Sequence, residues 1–460
     1  MKKFLLIIFS LILMGISVYA NNVQISNIGF SNRNTTANTV KIGFDASWEN
    51  SWRTTSNENN YDGLWVFAKF RKINTSSWQH CSINNVNALP ATGSTIQASA
   101  DKKGFWLYRS ANGIGNVNFL GSKVEWDYGT DNVADGDSVE IRLFAIEMVY
   151  VPQGSFFLGS GGSENFSFST AGSTNPYQIT SEAATSFGST PGNLTYSGAG
   201  ALTFSLPITY PKGFNAFWIM KYEASQQQYV DFLNTLDQAR ASFNGSAFLG
   251  LTGAHPNFIA PQPTRAVGVS TDNFLSISDF SAMRPMTELE YEKACRGAAI
   301  LPVPNEYPWG NTFYNGVGAL LNTGLEDEAQ ASPTGNSTMN AFNPNRCGLY
   351  ATSITGSQRD SSGGTFYGGL DMGGNVFEKA VNVQTLASRN FTSTIHGDGI
   401  VGADGFSNIT TWNAAIFGIR GAAFNTPSVY GRLSDRYYFI NGFVDGIGGK
   451  NGIRMVRTAE

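Results

Sequence analysis

Apolar and polar residues alternate along the first third of the chain. Val40, Ile42, Phe44 and Ala46 are interleaved with Lys41, Gly43 and Asp45, which puts one face of an extended segment in a core and the other in water. Leu64-Trp65-Val66-Phe67-Ala68-Lys69-Phe70, Phe105-Trp106-Leu107-Tyr108 and Val139-Glu140-Ile141-Arg142-Leu143-Phe144 are also strand-like, and Asp62-Gly63 and Asp135-Gly136-Asp137 separate such runs as turns. No helical period interrupts this region, so residues 21–146 are expected to form an all-β sandwich. Its last strand runs without a spacer into Met148-Val149-Tyr150-Val151, which predicts a rigid joint to the second half of the chain.

Beyond the joint the pattern changes. Residues 160–212 are rich in Gly, Ser, Thr and Asn and read as a long surface insertion rather than a domain. Ser225 with Gln228 forms a capping box, after which Tyr229, Phe232, Leu233 and Leu236 fall on one helical face. Thr287 with Glu290 forms a second box. Met286 is placed to staple onto Tyr291, and Gly297 closes that helix. Short helices between long irregular stretches predict a loop-rich α+β domain over 147–460. There is no internal repeat.

Composition narrows the class. Of 460 residues, 42% are hydrophobic and only 14% charged, which supplies a sizeable core and excludes a disordered tail or coiled coil. The formal net charge is −4 with no basic block, so a nucleic-acid partner, which needs a phosphate-neutralising patch, is disfavoured. Lys2 and Lys3, the apolar run Phe4 to Ile16 and the small residues around Val18-Tyr19-Ala20 form a signal peptide over 1–20. The competing reading, a membrane anchor, falls short of the ~20 apolar residues a span needs. The expectation is export to the periplasm, cell surface or medium, with no membrane span in the mature chain. Asn21 rather than a cysteine follows the cut, which argues against lipid attachment. Loss of Lys2 and Lys3 moves the net charge from −4 to −6. Cys81, Cys295 and Cys347 are too few for a disulfide framework. They read as small buried apolar residues, with a Cys295–Cys347 bridge left open.

Seven segments, in order, carry a resemblance. They are Met148 to Gly159, Phe217-Trp218-Ile219-Met220-Lys221-Tyr222-Glu223-Ala224-Ser225, Arg284-Pro285-Met286-Thr287-Glu288-Leu289-Glu290-Tyr291-Glu292-Lys293-Ala294-Cys295-Arg296-Gly297, Tyr307-Pro308-Trp309-Gly310-Asn311, Gly369-Leu370-Asp371-Met372-Gly373-Gly374-Asn375-Val376-Phe377-Glu378, Ile419-Arg420-Gly421, and Gly452 to Arg457. Together these resemble the formylglycine-generating enzyme (sulfatase-modifying factor) family over roughly 148–457, with the 160–212 insertion outside the likeness. The resemblance implies that family's variant of the C-type-lectin fold and is silent on the N-terminal region.

It also implies chemistry that this sequence departs from. In formylglycine-generating enzymes two cysteines after an Arg-Gly-Gly-Ser segment hold copper, because soft thiolates select Cu(I). The matching positions here are Thr426 and Gly431, and the Gly-Gly-Ser has become Gly421-Ala422-Ala423. No copper is expected. The related ergothioneine-synthase branch holds iron on three histidines. This chain has only His80, His255 and His396, far apart in sequence, so no iron is expected either. There is no His-Glu-x-x-His, no serine nucleophile elbow and no phosphate-binding loop.

One metal motif persists. Asp371, Gly374, Val376 and Glu378 match the family's calcium loop, in which the outer two offer side chains and the inner two backbone carbonyls. Calcium takes several hard oxygens in flexible geometry, so a structural Ca2+ is expected, beside the alternative that Glu378 only pairs within a tight turn. Asn322, near Glu326-Asp327-Glu328, is a weaker match to the family's other calcium site. Arg296, Arg420, Arg432, Arg436, Arg454 and Arg457 also stand at family-type positions. They read as ties between loops, with binding of a substrate carboxylate as the sharper alternative.

Trp412, Phe417, Phe424, Tyr430, Tyr437, Tyr438, Phe439 and Phe443 crowd the region that builds the ligand surface in this fold. The cleft candidates are Trp412, Asn425, Thr426, Tyr430, Arg432 and Arg436, with the reading that about half the aromatics are core kept beside it. The functional expectation is an exported, non-catalytic member of the family: a calcium-stabilised binding or structural module for an extracellular protein or glycan. The alternative is an enzyme with different, non-copper chemistry in the same cleft. A third reading is a receptor whose terminal loops, Asn425 to Gly449, vary for binding.

Overall fold

The computed structural model describes residues 23–245, 250–332, 335–351, 359–440 and 449–460. The expected signal peptide, Phe443 and part of the 425–449 stretch lie outside the described residues.

The N-terminal region is β-rich, as its alternation predicts. Nine strands follow one another: β1 (Gln24–Asn34), β2 (Thr39–Arg53), β3 (Asp62–Lys72), the short β4 (Gln79–His80), β5 (Ile83–Leu89), β6 (Ser94–Ala98), β7 (Phe105–Arg109), β8 (Gly113–Asp127) and β9 (Val139–Val151). One sheet has the order β1-β2-β8-β5. Its inward residues Ile42, Phe44, Ala46, Trp48, Val124 and Trp126 share a core with Leu64, Val66, Ala68 and Phe70 of β3 and with Phe105 and Leu107 of β7.

The second sheet carries the structural continuity. Its order is β13-β12-β11-β14-β10-β9-β3-β7-β6, where β10 is Phe217–Met220, β11 Arg284–Thr287, β12 Glu378–Val381, β13 Phe417–Arg420 and β14 Met455–Thr458. β9 pairs along its length with β3, from Lys72↔Val139 to Asp62↔Val149. Its last four residues pair on the other side with β10, from Met148↔Met220 to Val151↔Phe217. One strand thus belongs to both halves of the chain, which explains the missing spacer. It also explains why β3 is apolar on consecutive positions from Leu64 to Ala68 rather than alternating. Its even residues face the N-terminal core, while Trp65 and Phe67 face the core of the second half, and a strand buried on both faces needs apolar residues on both.

Helices α1 (Gln226–Leu233), α2 (Gln238–Asn244), α3 (Thr271–Phe280) and α4 (Glu288–Arg296) belong to the second half. Both expected capping boxes are present, Ser225 with Gln228 and Thr287 with Glu290. Gly297 follows α4 at φ 95°, where a side chain would be strained. Residues 160–212 differ from the surface insertion read from their composition. Segments 168–170, 194–196, 185–187 and 204–206 form a four-stranded sheet, and Phe168, Phe187, Leu194, Tyr196 and Leu206 are buried in the main core. Among the described residues no helix is long and apolar enough to cross a membrane.

Candidate functional site

Three features meet around α4 and the strands beside it. The first is a buried lattice of arginine and glutamate. Glu288 and Glu292 lie one turn apart, so both reach the same face of α4. Arg420 of β13 spans them, at 3.3 Å from Glu288 Oε2 and 2.9 Å from Glu292 Oε1. Arg436 grips Glu288 with two nitrogens, at 2.7 and 3.0 Å. Arg296 bridges Glu292 at 3.0 Å and Glu306 at 2.6 Å. Arg284 holds Glu290 by two contacts of 2.9 and 2.6 Å. The Arg420 and Arg296 guanidiniums hold Glu292 below the usual carboxylate range despite its burial.

This lattice decides the role of one cleft candidate. The Arg436 guanidinium is buried between Glu288, the Phe166 carbonyl and the rings of Phe168 and Tyr196. No edge of it is turned to a ligand. Trp412 is likewise inside, packed in the main core with Ile416 and Phe417. Neither stands beside Thr426 and Tyr430 at a surface.

The second feature is a turn of carboxylates at Asp371–Glu378. Asp371, Gly374 and Asn375 have φ of 61°, 110° and 62°. A β-carbon at Gly374 would strike Ser337 and the Thr338 carbonyl, so the tight path requires glycine there. Asp371 Oδ2 accepts the Gly348 N–H at 2.6 Å. Glu378 Oε1 faces Arg454 Nε at 3.4 Å, whereas Glu378 Oε2 is buried without a partner and aims at the bare α-carbon of Gly421. Glu223, which sequence reasoning gave no role, completes the turn. Its Oε1 accepts the Val376 N–H at 3.0 Å and its Oε2 the Asn375 side-chain amide.

Three carboxyls, with Glu223 and Glu378 buried and Asp371 half-buried, thus lie near one another with Arg454 as the nearest cation. Burial, followed by the neighbouring acids, pushes Glu223 well up. Burial pushes Glu378 up to about 8, although Arg454 opposes the shift. Uncompensated negative charge in a dry interior is costly, so the turn requires protons or a cation. Among the described residues no three His, Cys, Asp or Glu side chains form a group able to hold a metal by themselves. An ion at this turn would therefore depend on backbone carbonyls as well. Asn322, the weaker match, bonds Asp327 at 2.8 Å, and Glu328 is taken by Arg265 at 2.9 Å.

The third feature is the surface around Thr426 and Gly431, the positions that the resemblance sets against the copper cysteines. Thr426 is buried, and its hydroxyl accepts the Ala423 N–H at 3.2 Å within its own turn. At Gly431 a β-carbon would land on the thioether of Met339. Met339 is buried among Tyr307, Trp309, Phe377, Ala422 and Ala423. The space that a side chain at Gly431 would take is filled by a methionine drawn from elsewhere in the chain. Around it, Tyr430 packs on Tyr437 at 4.9 Å and on Tyr438 at 5.1 Å, all half-buried. Asn425 is exposed, and Arg432 donates to Asn305 at 3.2 Å. Phe342, 95% exposed and next to the residue whose N–H meets the Phe424 carbonyl, joins the same surface. An isolated exposed phenylalanine in a loop gives no periodic signal, so sequence reasoning passed over it.

The remaining candidates are dispersed. His80 contacts the Lys103 carbonyl, His255 the Leu236 carbonyl and His396 the Thr458 N–H. Cys81, Cys295 and Cys347 are buried and unbridged, and burial raises all three thiols. Arg457 reaches Asp101 at 2.6 Å and covers the Trp65 ring, tying the last strand to the N-terminal region. A further cavity of about 420 Å³ lies away from the tyrosines, where Phe144 and Ile146 of β9 face Phe232 of α1 and Ile277 and Phe280 of α3.

These features define a class: a sheet-rich protein whose second half is organised around an arginine–glutamate lattice and a glycine-dependent acidic turn. The family model of the sulfatase-modifying factor enzyme 1-like domain matches residues 140–383, and the chain belongs to that family. The match opens on β9 and ends just past β12. Arg420, Thr426, Gly431 and Arg454 lie beyond it, and pairing of β13 and β14 with the matched strands brings them back. No curated protein matches the chain at a significant level.

Proposed function

We propose that this chain is an exported, non-catalytic member of its family, in which a β-sandwich is fused to a lectin-like domain that binds an extracellular protein or glycan. One observation carries the reading. The two positions that the resemblance sets against the copper cysteines are a threonine closing its own turn and a glycine whose free space is taken by Met339. A lone thioether, with no thiolate or imidazole beside it, gives soft-metal redox chemistry too few donors there. The tyrosines beside it, with Asn425 and Phe342, suit contact with a neutral or amide-rich partner, since tyrosine and asparagine offer area and hydrogen bonds without charge.

In this reading calcium clamps the acidic turn. Glu378 and Asp371 would hold it by side-chain oxygens, with the Gly374 and Val376 carbonyls, and its charge would offset the buried carboxylates. The sandwich reading draws on the core shared by β2, β8, β3 and β7. The purified mature protein, titrated with copper or iron and given a sulfatase-type cysteine peptide and oxygen, is expected to show neither stoichiometric redox-metal binding nor turnover. Turnover would overturn the proposal.

A further inference from the structure

Where β9, β3 and β10 meet, three ionisable side chains face one another in the interior. Lys221, just after β10, places Nζ 3.1 Å from Asp62 Oδ2 and 3.0 Å from Glu147 Oε2. The side chains are 2%, 0% and 3% exposed. The Trp52 and Tyr222 rings flank the ammonium at 4.9 and 5.4 Å. Asp62 Oδ1 accepts from Ser51 Oγ at 2.8 Å and from the Trp52 N–H at 3.0 Å, while Oδ2 accepts from Trp48 Nε1 at 3.0 Å. Lys221 Nζ also donates to the Asn50 carbonyl at 3.1 Å. Glu147 Oε1 is buried with no partner.

A dry lysine–aspartate contact with a second acid at hand is the arrangement needed for amide formation. We propose that Lys221 and Asp62 condense spontaneously into an intramolecular isopeptide bond, with Glu147 as the acid–base catalyst, so that the two halves of the chain become covalently joined. The ammonium first passes a proton to the Asp62 carboxylate 3.1 Å away, leaving a neutral amine beside a carboxylic acid. The Nζ lone pair attacks Asp62 Cγ and forms the new C–N bond. The oxyanion that develops is met by donors already aimed at the carboxyl: Ser51, the Trp52 N–H and Trp48. Protonated Glu147 supplies the departing oxygen with its proton, the Cγ–O bond breaks, and Glu147 takes the surplus proton from nitrogen. Two hydrogens from Nζ and one oxygen from Asp62 leave as water, and Glu147 is regenerated.

The energetics favour the step. Each buried ion carries a desolvation penalty of several kcal/mol, which a neutral amide does not. Fixed contact between the partners raises their effective concentration to about 10⁵–10⁸ M. Burial, opposed by Lys221 and assisted by Asp62, pushes Glu147 up to about 7, so it can carry the proton it must donate. The opposing carboxylates more than offset burial and push Lys221 up. The neutral amine is therefore scarce and forms only when Nζ hands on its proton. The three cysteines are unbridged, so such a bond would be the covalent staple between the two halves.

The test is peptide mapping of the full-length folded protein by tandem mass spectrometry. The expected product is a branched species in which the peptide holding Asp62 is joined to the one holding Lys221, one water lighter than their sum. Recovery of the two peptides separately, at full mass, from folded wild-type protein would overturn the proposal. Glu147→Gln is expected to abolish the branch while leaving both peptides intact. A branch persisting in that variant would remove Glu147 from its assigned role. Asp62→Asn is expected to yield the same amide with loss of ammonia in place of water.

Discussion

At Gly431 the missing side chain leaves a hollow that another part of the chain fills. The hollow is closed by the Met339 thioether, and methionine fills irregular gaps well because it is unbranched and flexible. Gly431→Ala should overpack the site and destabilise the protein by about 1–3 kcal/mol, with part of that loss recovered in the Met339→Ala, Gly431→Ala double variant, as chemical denaturation would show. Glu378 offers a second residue-level test. Its folded-state carboxyl keeps its proton up to about pH 8, while the unfolded chain releases it near pH ~4.3. The folded state therefore binds the extra proton between these values. The stability gained is fully present below the unfolded pKa and is lost as pH rises through the folded one. In chelator, wild-type stability measured by urea unfolding should fall between pH 5 and 8.5, and Glu378→Gln should flatten that slope. If calcium occupies the turn it favours the ionised form, so added Ca2+ should raise the Tm more at pH 8 than at pH 5.5. An equal or absent calcium effect at both pH values would count against the clamp.

Among the elements, those closed by local chemistry were legible in advance. The boxes at Ser225 and Thr287 need partners only three residues away, and the alternation of β2 reports its own burial. Residues 160–212 were not legible, because their sheet is held by a few widely spaced aromatics in a Gly, Ser and Thr background. There Phe187 stacks on Phe204 at 4.3 Å, and the Phe168 and Tyr196 rings cover Arg436. The Glu288–Arg436 pair spans 148 residues, a separation at which no sequence period operates. The arginine positions came from the resemblance, and the fold supplied their partners. The acidic turn was legible by motif alone, but Glu223 was missed because its ligands, the Asn375 amide and the Val376 N–H, lie 152 and 153 residues away.

On the scale of the whole molecule, the two halves share β9, the cross-domain contacts of Arg457 and the Lys221 cluster. Neither core can open without exposing part of the other. Calorimetry should give one unfolding transition, with tryptophan fluorescence and far-ultraviolet circular dichroism changing together. Two separated transitions would show that β9 does not couple the halves. The position of β14 adds a temporal consequence. Residues 455–458 lie in the middle of the sheet, bonded to β10 on one side and β11 on the other, although every other strand of that sheet precedes them in the sequence. A ribosome must deliver all of those strands before the keystone can slide home. Until then the half-built sheet keeps an open slot, so a nascent chain stays unlocked during synthesis, and a product cut short just before Met455 should never reach the native state.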